Sequence, residues 1–444
     1  MALRGLRLYP PRLDPRRGLL SHLLRGHRRL SRAAAVRRRS RPLARIPPGR
    51  PFRRLGGWRF VLRPWYPEVV KKILASLFGI AVVGAAAWWL FARGNSAPPG
   101  SAAGADAAAG LHEARWYEPL PNGLVHCRLC PNSCRLPEGK IGLCKVRKNV
   151  GGKLYTLSYG QLAAVHVDPI EKKPFYHVLP GAQAFSLATP GCNMRCLFCQ
   201  NWEISQSFPW QVATQAATPE QVVDAALRSG AQAIAFTYSE PTIFYEYMLD
   251  IAKLAKAKGL KTLVVSNGYI EPGPLRELLP FIDAYKVDFK AFNPQFYVDL
   301  TGGRREPILE AMKIIRASGT WLEIVTLLVP GQNDGEDEIR ELARWVKDNL
   351  GPDVPLHFSR FHPQHKLANL PPTPFETIVR AREIARAEGL HYVYTGNVPF
   401  PEGDSTRSPA TGEIVVERKG YFVVRNALVD GVAPDGTPIP GIWK

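Results

Sequence analysis

Three cysteines within eight residues constrain this chain more than any other feature. Cys192, Cys196 and Cys199 have the spacing C-x3-C-x2-C and follow a short apolar run, residues 184–188, that ends at Pro190 and Gly191. The run predicts a buried strand that leads into a loop. Three thiolates hold three corners of a cubic iron–sulfur cluster, which normally takes four protein ligands, so one iron stays open. The spacing therefore indicates a cluster that binds a further molecule directly.

Two simpler interpretations of this loop are weaker. A structural zinc ion takes four ligands, and no Cys or His lies among the dozen residues after Cys199. A disulfide within the loop would leave an odd thiol. Phe198, which directly precedes the third cysteine, and the strand-then-loop context agree with the open cluster.

A second group of cysteines lies upstream. Cys127, Cys130, Cys134 and Cys144 have the spacing C-x2-C-x3-C-x9-C. Four thiolates suit a closed structural zinc site or a complete auxiliary iron–sulfur cluster, and spacing does not separate these two. Two disulfides are the remaining alternative. All seven cysteines fall between positions 127 and 199, which favours metal or cluster ligation in a reducing compartment.

The positive charge of the chain is concentrated at its N-terminus. The formal net charge is +20, yet residues 1–72 hold 21 of the 58 Lys and Arg residues and only 2 of the 38 acidic ones. The rest is close to neutral, so the bulk charge gives no support for a nucleic-acid partner. Residues 1–72 are Arg-rich without a sustained period. They are expected to be disordered, or to be sequence translated upstream of the true start.

An uncharged apolar run follows at residues 73–91. As a helix it would extend about 28 Å, close to the roughly 30 Å core of a bilayer. It predicts a single-pass transmembrane or signal-anchor helix, with a cleaved signal peptide or a buried core helix as alternatives. Residues 92–111 read as a flexible linker. The basic flank should stay in the cytoplasm, which would send the C-terminal domain across the membrane. An iron–sulfur cluster that needs a cytosolic reductant instead requires the cytoplasm. The sequence therefore leaves open on which side of the membrane this domain lies.

From residue 183 onward, short apolar strands alternate with helical stretches, which predicts a parallel sheet with right-handed crossovers. The predicted strands are 184–188, 233–237, 261–265, 284–288, 322–328 and 355–359. The predicted helices include 219–228, 245–257, 306–317, 337–349 and 374–387, the first with Thr218 as its N-cap. Six units are too few for a closed eight-stranded barrel. The pattern favours an open, partial barrel, with a doubly wound sheet as the alternative.

Several motifs resemble one enzyme family. The run from Gly191 to Asn201 resembles the cluster loop of radical S-adenosylmethionine (SAM) enzymes, close to the pyruvate formate-lyase activating branch. The longer stretch 127–206, with CRLCPNSC, VDPIEKKP and CQNWEISQ, resembles the AmmeMemoRadiSam system radical SAM enzyme. The resemblance covers about residues 112–443. It implies a partial (β/α)6 TIM-like barrel at 183–400, a four-cysteine N-terminal lobe at 112–182, a [4Fe-4S] cluster on Cys192, Cys196 and Cys199, and SAM at the open iron.

Polar residues at the predicted strand ends, read with this resemblance, are candidates for contact with SAM. They are Tyr238, Ser239, Glu240, Ser266, Asn267, Gly268, Asp288, Lys290 and His362. The first three match the motif for the amino-acid end of SAM, although the family usually has Asn in place of Ser239. The next three are expected at the ribose, with the glycine allowing close backbone approach. Asp288 and Lys290 match the Asp-x-Lys of glycyl-radical activases, and His362 is expected at the same rim, unless it is a structural histidine.

The C-terminal segment, residues 401–444, departs from the family pattern. Residues 408–412 and 433–443 resemble the family's C-terminal metal ribbon, but its cysteines are missing. We expect a small metal-free β unit held by Val415, Tyr421, Val423 and Trp443.

Together these features predict a radical SAM enzyme that reductively cleaves SAM and abstracts hydrogen from an unknown substrate, expected to be a protein or protein-linked. A glycyl-radical-enzyme activase is the second interpretation, and a membrane-tethered zinc-binding scaffold with an inactive barrel is the third. The expected partners are an electron donor such as ferredoxin or flavodoxin, Memo-like or AMMECR-like proteins, and the membrane through residues 73–91. No nucleic-acid partner is expected.

Overall fold

The computed structural model describes residues 110–398 and 401–444. The predicted Arg-rich segment, the apolar run at 73–91 and most of the linker lie outside the described residues. Among the residues that are described, no helix combines the length and apolarity needed to cross a bilayer.

The N-terminal lobe contains the strands β1 (His112–Glu113), β2 (Tyr117–Pro119), β3 (Val125–Cys127), β4 (Arg135–Leu136), β5 (Arg147–Val150), β6 (Lys153–Thr156) and β7 (Gln161–Leu162). The first six form two small antiparallel sheets, β1-β6-β5 and β2-β3-β4. All seven strands are only two to four residues long, so the lobe depends on tertiary packing more than on its own hydrogen-bonded ladders.

An eight-stranded sheet forms the centre of the molecule, in the order β16-β15-β14-β13-β12-β11-β9-β8. Its strands, with β10, which pairs with β7, are β8 (Ala164–Pro169), β9 (Gln183–Ala188), β10 (Gln215–Ala216), β11 (Ala233–Phe236), β12 (Lys261–Ser266), β13 (Ala284–Asp288), β14 (Trp321–Leu328), β15 (Leu356–Arg360) and β16 (Val393–Gly396). Seven strands are parallel, and β8 is antiparallel at one edge. The two edge strands, β8 and β16, do not pair with each other, so the sheet is open, as predicted.

Helices connect the parallel strands. They are α1 (Trp202–Ser205), α2 (Pro219–Arg228), α3 (Tyr245–Ala257), α4 (Pro272–Leu278), α5 (Pro294–Phe296), α6 (Glu306–Ala317), α7 (Glu336–Leu350), α8 (Phe375–Ala387) and α9 (Pro401–Asp404). Thr218 caps α2 through a reciprocal box with Gln221, because its hydroxyl accepts from the Gln221 N–H at 3.3 Å. The sequence pattern did not predict α4, the antiparallel edge strand β8 or the four-residue strand β16.

Apolar side chains of the sheet and the helices pack into one large core, which includes Phe236, Val264, Ile324 and Phe358. The parallel strands are buried almost continuously, as expected for a sheet covered by helices. This rigid scaffold fixes the loops at the carboxyl ends of the strands.

The C-terminal unit is a three-stranded antiparallel sheet of β17 (Thr406–Arg407), β18 (Ile414–Lys419) and β19 (Phe422–Asn426). Val415 is buried in its core, and Val423 and Trp443 pack against that core, as predicted. The prediction for Tyr421 was wrong, because its side chain is 44% exposed and lies at the edge of a cavity. It follows Gly420 at the tight turn between β18 and β19, where no core surrounds it.

Candidate active site

A cavity of about 690 Å³ lies at the carboxyl ends of the parallel strands. All three cysteines of the 192–199 loop line it, together with the ends of β11, β12, β13, β15 and β16. Residues 171–174 and the C-terminal unit close further walls. A surface hollow of similar volume, about 710 Å³, lies around Arg276 and Lys313 and is lined by no cysteine, so volume alone does not mark the site. The strand ends and the three thiols identify the first cavity as the candidate active site.

Backbone hydrogen bonds fix the three-cysteine loop in place. The Arg195 and Leu197 N–H groups donate to the carbonyls of Thr301 and Leu300, at 2.7 and 2.9 Å. Gly191 has a φ of +99°, and a Cβ there would lie 2.6 Å from the Cys144 carbonyl oxygen. Only glycine fits this position, because the four-cysteine lobe packs directly against the backbone of the loop.

The three thiols are half-buried in the cavity wall. Burial raises the pKa of Cys192 and Cys199, and raises that of Cys196 to about 12, while Lys290 acts in the opposite direction on Cys196 and Cys199. The Met194 N–H points at the Cys192 sulfur from 3.4 Å. Desolvation opposes the thiolate form, whereas the lysine, the N–H donor and the positive charge of bound iron favour it, so three thiols at this wall fit a [4Fe-4S] group.

The turn after β11 brings Tyr238, Ser239 and Glu240 to the cavity, as predicted. Tyr238 has a positive φ of +64°, and its carbonyl accepts from the Asn201 side chain at 2.7 Å. The Ser239 hydroxyl donates to the Thr189 carbonyl at 2.7 Å. A strained backbone held by such bonds is a common feature of functional sites, and here it ties the turn to the cysteine loop.

Glu240 is fully buried and organises the end of β12. Its carboxylate accepts from the Ser266 hydroxyl at 2.6 Å and from the Asn267 N–H at 2.9 Å. Ser266 and Asn267 do line the cavity, but the Ser266 hydroxyl and the Asn267 backbone N–H are already bonded to Glu240. Burial raises the pKa of Glu240, and these hydrogen bonds oppose the rise. The three residues are brought together as predicted, with a mutual contact that the sequence did not indicate.

Gly268 does not line the cavity. Its φ is +71°, and a Cβ would lie 3.1 Å from side-chain carbons of Val287 and Ile308. The expectation of close backbone approach to a ribose is therefore replaced by close packing on the neighbouring strand.

Asp288 and Lys290 lie in the cavity wall together with Lys286, which sequence reasoning missed. Asp288 forms ion pairs with both lysines. Burial raises the pKa of Asp288, but the two ammonium groups outweigh burial and hold it at about 2. Because strand side chains alternate, a residue two positions before Asp288 faces the same side, and this period could have found Lys286.

His362 is exposed and does not line the cavity, so the structure does not support its predicted place at the rim. The β15 strand ends at Arg360, and the chain has already left the sheet at position 362. His357, inside β15, lines the cavity instead and pairs with the buried Glu323 at 2.7 Å. Lys173, Thr395 and Asp404 also line it, and no local sequence signal marks them.

The four upstream cysteines surround a much smaller space of about 10 Å³. Burial raises the pKa of Cys130, Cys134 and Cys144, the last to about 12. Arg147 lies 3.6 Å from the Cys127 sulfur and forms a buried ion pair with Glu246. In the described part of the chain, no three His, Cys, Asp or Glu side chains converge closely enough to hold a single metal ion, and this includes both cysteine groups.

Comparisons with known proteins agree with this geometry. Residues 186–346 match the Radical SAM superfamily model. An uncharacterized protein of Methanocaldococcus jannaschii is 44% identical over 308 residues, which cover 69% of this chain and 92% of that protein. The chain belongs to the radical SAM superfamily. Members are SAM-dependent iron–sulfur enzymes. The predictions of an enzyme, of a [4Fe-4S] cluster and of SAM are therefore confirmed, and the interpretation as a zinc-binding scaffold is not.

More distant radical SAM relatives carry activating-enzyme names. The Clostridium pasteurianum pyruvate formate-lyase-activating enzyme is 28% identical over 166 residues, covering 36% of this chain and 67% of that enzyme. A solved domain of such an enzyme from Bacteroides vulgatus has a TM-score of 0.34 at 17% identity, covering 38% of this chain and 100% of that one. Streptococcus suis SuiB bound to SAM has a TM-score of 0.39 at 14% identity, covering 51% and 52%. These two structural likenesses are weak and concern the fold alone.

Proposed function

We propose that this radical SAM enzyme binds SAM in the cavity against the three-cysteine loop and cleaves it reductively. The observation that carries the proposal is that Cys192, Cys196 and Cys199 open onto a cavity of about 690 Å³, which has the volume of a ligand site. Held by these three cysteines, a [4Fe-4S] cluster with an open iron would supply the electron that cleaves SAM into methionine and a 5′-deoxyadenosyl radical, and that radical would take a hydrogen atom from a substrate in the same cavity.

The chain's own residues orient the reactants and keep water out. Burial lowers the pKa of Lys290, but Asp288 and Cys196 raise it more, so its ammonium stays protonated beside the thiols. A fixed positive charge there suits the SAM carboxylate. Residues 171–174, Gly420 and Tyr421 wall the cavity, and such enclosure protects a reactive carbon radical from solvent.

The motifs of residues 127–206 support an enzyme of the AmmeMemoRadiSam type, with a protein or protein-linked substrate and Memo-like or AMMECR-like partners. Ferredoxin or flavodoxin is the proposed electron donor. Residues 73–91 are proposed as a single-pass anchor with the catalytic domain in the cytoplasm. Fractionation of cells that express the full chain, with and without residues 73–91, tests the anchor; an unchanged soluble fraction would contradict it.

An activase of glycyl-radical enzymes is the second candidate. It is favoured by relatives named pyruvate formate-lyase-activating and benzylsuccinate synthase activating enzymes. Incubation with a glycyl-radical enzyme and detection of a glycyl radical by electron paramagnetic resonance separates this candidate from other hydrogen abstractions.

The main proposal is tested with the full-length protein, purified without oxygen, reconstituted with iron and sulfide, and reduced with dithionite. We expect about four irons on the 192–199 loop and formation of 5′-deoxyadenosine from SAM. Cys196→Ala should lose both, whereas Trp202→Phe, a neighbour of the loop with a 38% exposed ring, should keep both. Iron incorporation without 5′-deoxyadenosine would contradict the proposal.

The four-cysteine lobe is proposed to hold zinc or an auxiliary iron–sulfur cluster; zinc would draw the four thiols closer together, and a cluster would widen the space of about 10 Å³ between them. Replacing Cys192, Cys196 and Cys199 together by Ala leaves only this group, so the metal that remains identifies its content. A variant without any bound metal would refute this part of the proposal.

A further inference from the structure

Four lysines share two aspartates at the cavity. Asp168 accepts from Lys172 at 2.8 Å and from Lys173 at 2.6 Å, each through its own oxygen. Asp288 holds Lys286 and Lys290 in the same way. Each aspartate therefore carries one ammonium more than it can neutralise.

Among the described residues, three further carboxylates line the cavity wall, and none of them offsets this excess charge. Glu171 pairs with the buried Arg418. Burial raises the pKa of Glu240, and it raises that of Asp404 to about 7, so both groups are held towards their neutral form. Behind the wall, the buried Glu323 has a lowered pKa and offsets part of the charge of Lys286, so an excess of about one positive charge remains.

The two inner lysines are buried, with side chains only 3% and 5% exposed for Lys173 and Lys286. Burial lowers the pKa of Lys173 to about 8, Asp168 opposes this, and Lys172 and Lys286 add to it by repulsion. Burial also lowers the pKa of Lys286. Two buried ammonium groups that face one cavity and repel each other are costly unless an anion lies between them.

Their hydrogen-bonding capacity is also incompletely used. Two ammonium groups have six N–H donors. Among the described residues, Lys173 donates to Asp168 and to the Tyr238 hydroxyl, and Lys286 donates to Asp288. The remaining donors have no protein acceptor in the described part of the chain.

A third unsatisfied group lies in the same cavity wall. The Thr395 side chain is 1% exposed, and its hydroxyl has no hydrogen-bond partner among the residues that the structure describes. Such buried polar groups are normally hydrogen-bonded to protein or to ordered water, so this hydroxyl is a further polar group of the cavity wall that a bound molecule can satisfy.

We propose that Lys173 and Lys286 form a binding site for an anionic group, a carboxylate or a phosphate, of the substrate. The site deepens the proposed function, because it gives the substrate class of that cavity. It adjoins the thiol side of the cavity, because Lys286 shares Asp288 with Lys290, which stands beside Cys196. The substrate is therefore an anionic molecule or an anionic side chain of a protein, anchored by its charge while a C–H bond faces the SAM side.

The test uses calorimetric titration of the reconstituted, anaerobic full-length protein with inorganic phosphate and, separately, with succinate. We expect at least one of them to bind, and the tighter of the two tells which anionic group the site takes. Lys173→Met and Lys286→Met should each weaken binding by about tenfold or more, the loss expected for one charge-assisted hydrogen bond. Lys256→Met, a surface lysine that pairs with Asp283, should stay within about twofold of the wild type.

Both variants are expected to fold, because Asp168 keeps Lys172 and Asp288 keeps Lys290. Without an anion, their melting temperatures should equal or exceed that of the wild type, since a repelling charge has been removed. A purely structural lysine would instead destabilise the protein on removal. Lys173→Arg, which keeps the charge, should retain binding if the Met variant is poorly folded.

Three results would overturn the proposal: neither anion binds the wild type, the lysine variants bind as well as the wild type, or saturating SAM abolishes anion binding. The last result would mean that the SAM carboxylate itself occupies the site. Loss of SAM cleavage in the parent protein, with anion binding intact, would instead count against the proposed function alone.

Discussion

The two cysteine groups use the same ligand chemistry in opposite surroundings. Cys192, Cys196 and Cys199 open onto about 690 Å³, whereas the four upstream cysteines surround about 10 Å³, barely the room of one water molecule. The difference shows that access, more than ligand type, separates a reactive centre from a closed one.

The two groups nevertheless form one mechanical unit. The Cys144 carbonyl lies against Gly191, and the Asn132 side chain donates to the Asn193 carbonyl at 2.7 Å. The closed lobe therefore holds the open loop in position. Substitutions in the three-cysteine loop should therefore reduce SAM cleavage directly. Substitutions in the four-cysteine lobe should first lower the stability of the fold and reduce SAM cleavage as a consequence.

The largest expected effect tests the open group. Cys192→Ala should reduce formation of 5′-deoxyadenosine by at least about a thousandfold, the scale of losing a group that the reaction requires. The melting temperature of its metal-free form should change little from that of the metal-free wild type, because the thiol stands at the cavity wall and not inside a packed core. Product chromatography and thermal unfolding measure both quantities. If Cys192→Ala cleaved SAM at a rate within tenfold of the wild type, the three-cysteine group would not be the reactive centre that distinguishes it from the four-cysteine group.

The next effect concerns the lobe. Arg147 and Glu246 form a buried ion pair beside Cys127, with both side chains 2% exposed. Glu246→Gln leaves the Arg147 charge unpaired and should cost about 3–5 kcal/mol of unfolding free energy. Denaturant titration measures this. Glu336→Gln is the control, since this exposed partner of Arg380 should cost no more than about 1 kcal/mol. Equal costs for the two variants would show that the lobe is not held by its buried charges.

The sequence indicated the open group better than the rest of the cavity, for physical reasons. The cysteine spacing and the alternation of strands and helices are local, so the loop, six of the seven parallel strands and Asp288 with Lys290 could be predicted. The role of Lys173 depends on a contact with Tyr238, which lies 65 positions away, and no local pattern reports it. His362 was misplaced because the end of β15 was judged by polarity, whereas the period of two points to His357 and Ser359.

A smaller effect probes the contact between the groups. Gly191→Ala adds a Cβ 2.6 Å from the Cys144 carbonyl at a φ of +99°. Backbone strain and overlap should together cost about 2–4 kcal/mol and reduce SAM cleavage. Gly351→Ala is a matched control, because its φ is +100° and nothing lies within 4 Å of the new atom. It should show only the strain, about 1 kcal/mol. If the two variants behave alike, the lobe does not support the loop.

The smallest effect is a pH dependence that belongs to the open cavity. Burial raises the pKa of Asp404 to about 7, above its ordinary value of 3.8. Between these two values the folded protein keeps a proton that the unfolded chain has lost, so this carboxyl makes stability fall as pH rises from about 4 to about 7. Asp404→Asn should remove that slope and stabilise the protein at pH 8 by about 1–2 kcal/mol, well below the limit set by the full shift. Melting temperatures from pH 4 to pH 8 measure the slope, with Asp224→Asn, an exposed carboxyl of α2, as the control. An unchanged slope in Asp404→Asn would mean that water reaches this carboxyl freely, and that the cavity is less enclosed at its C-terminal wall than at its cysteine wall.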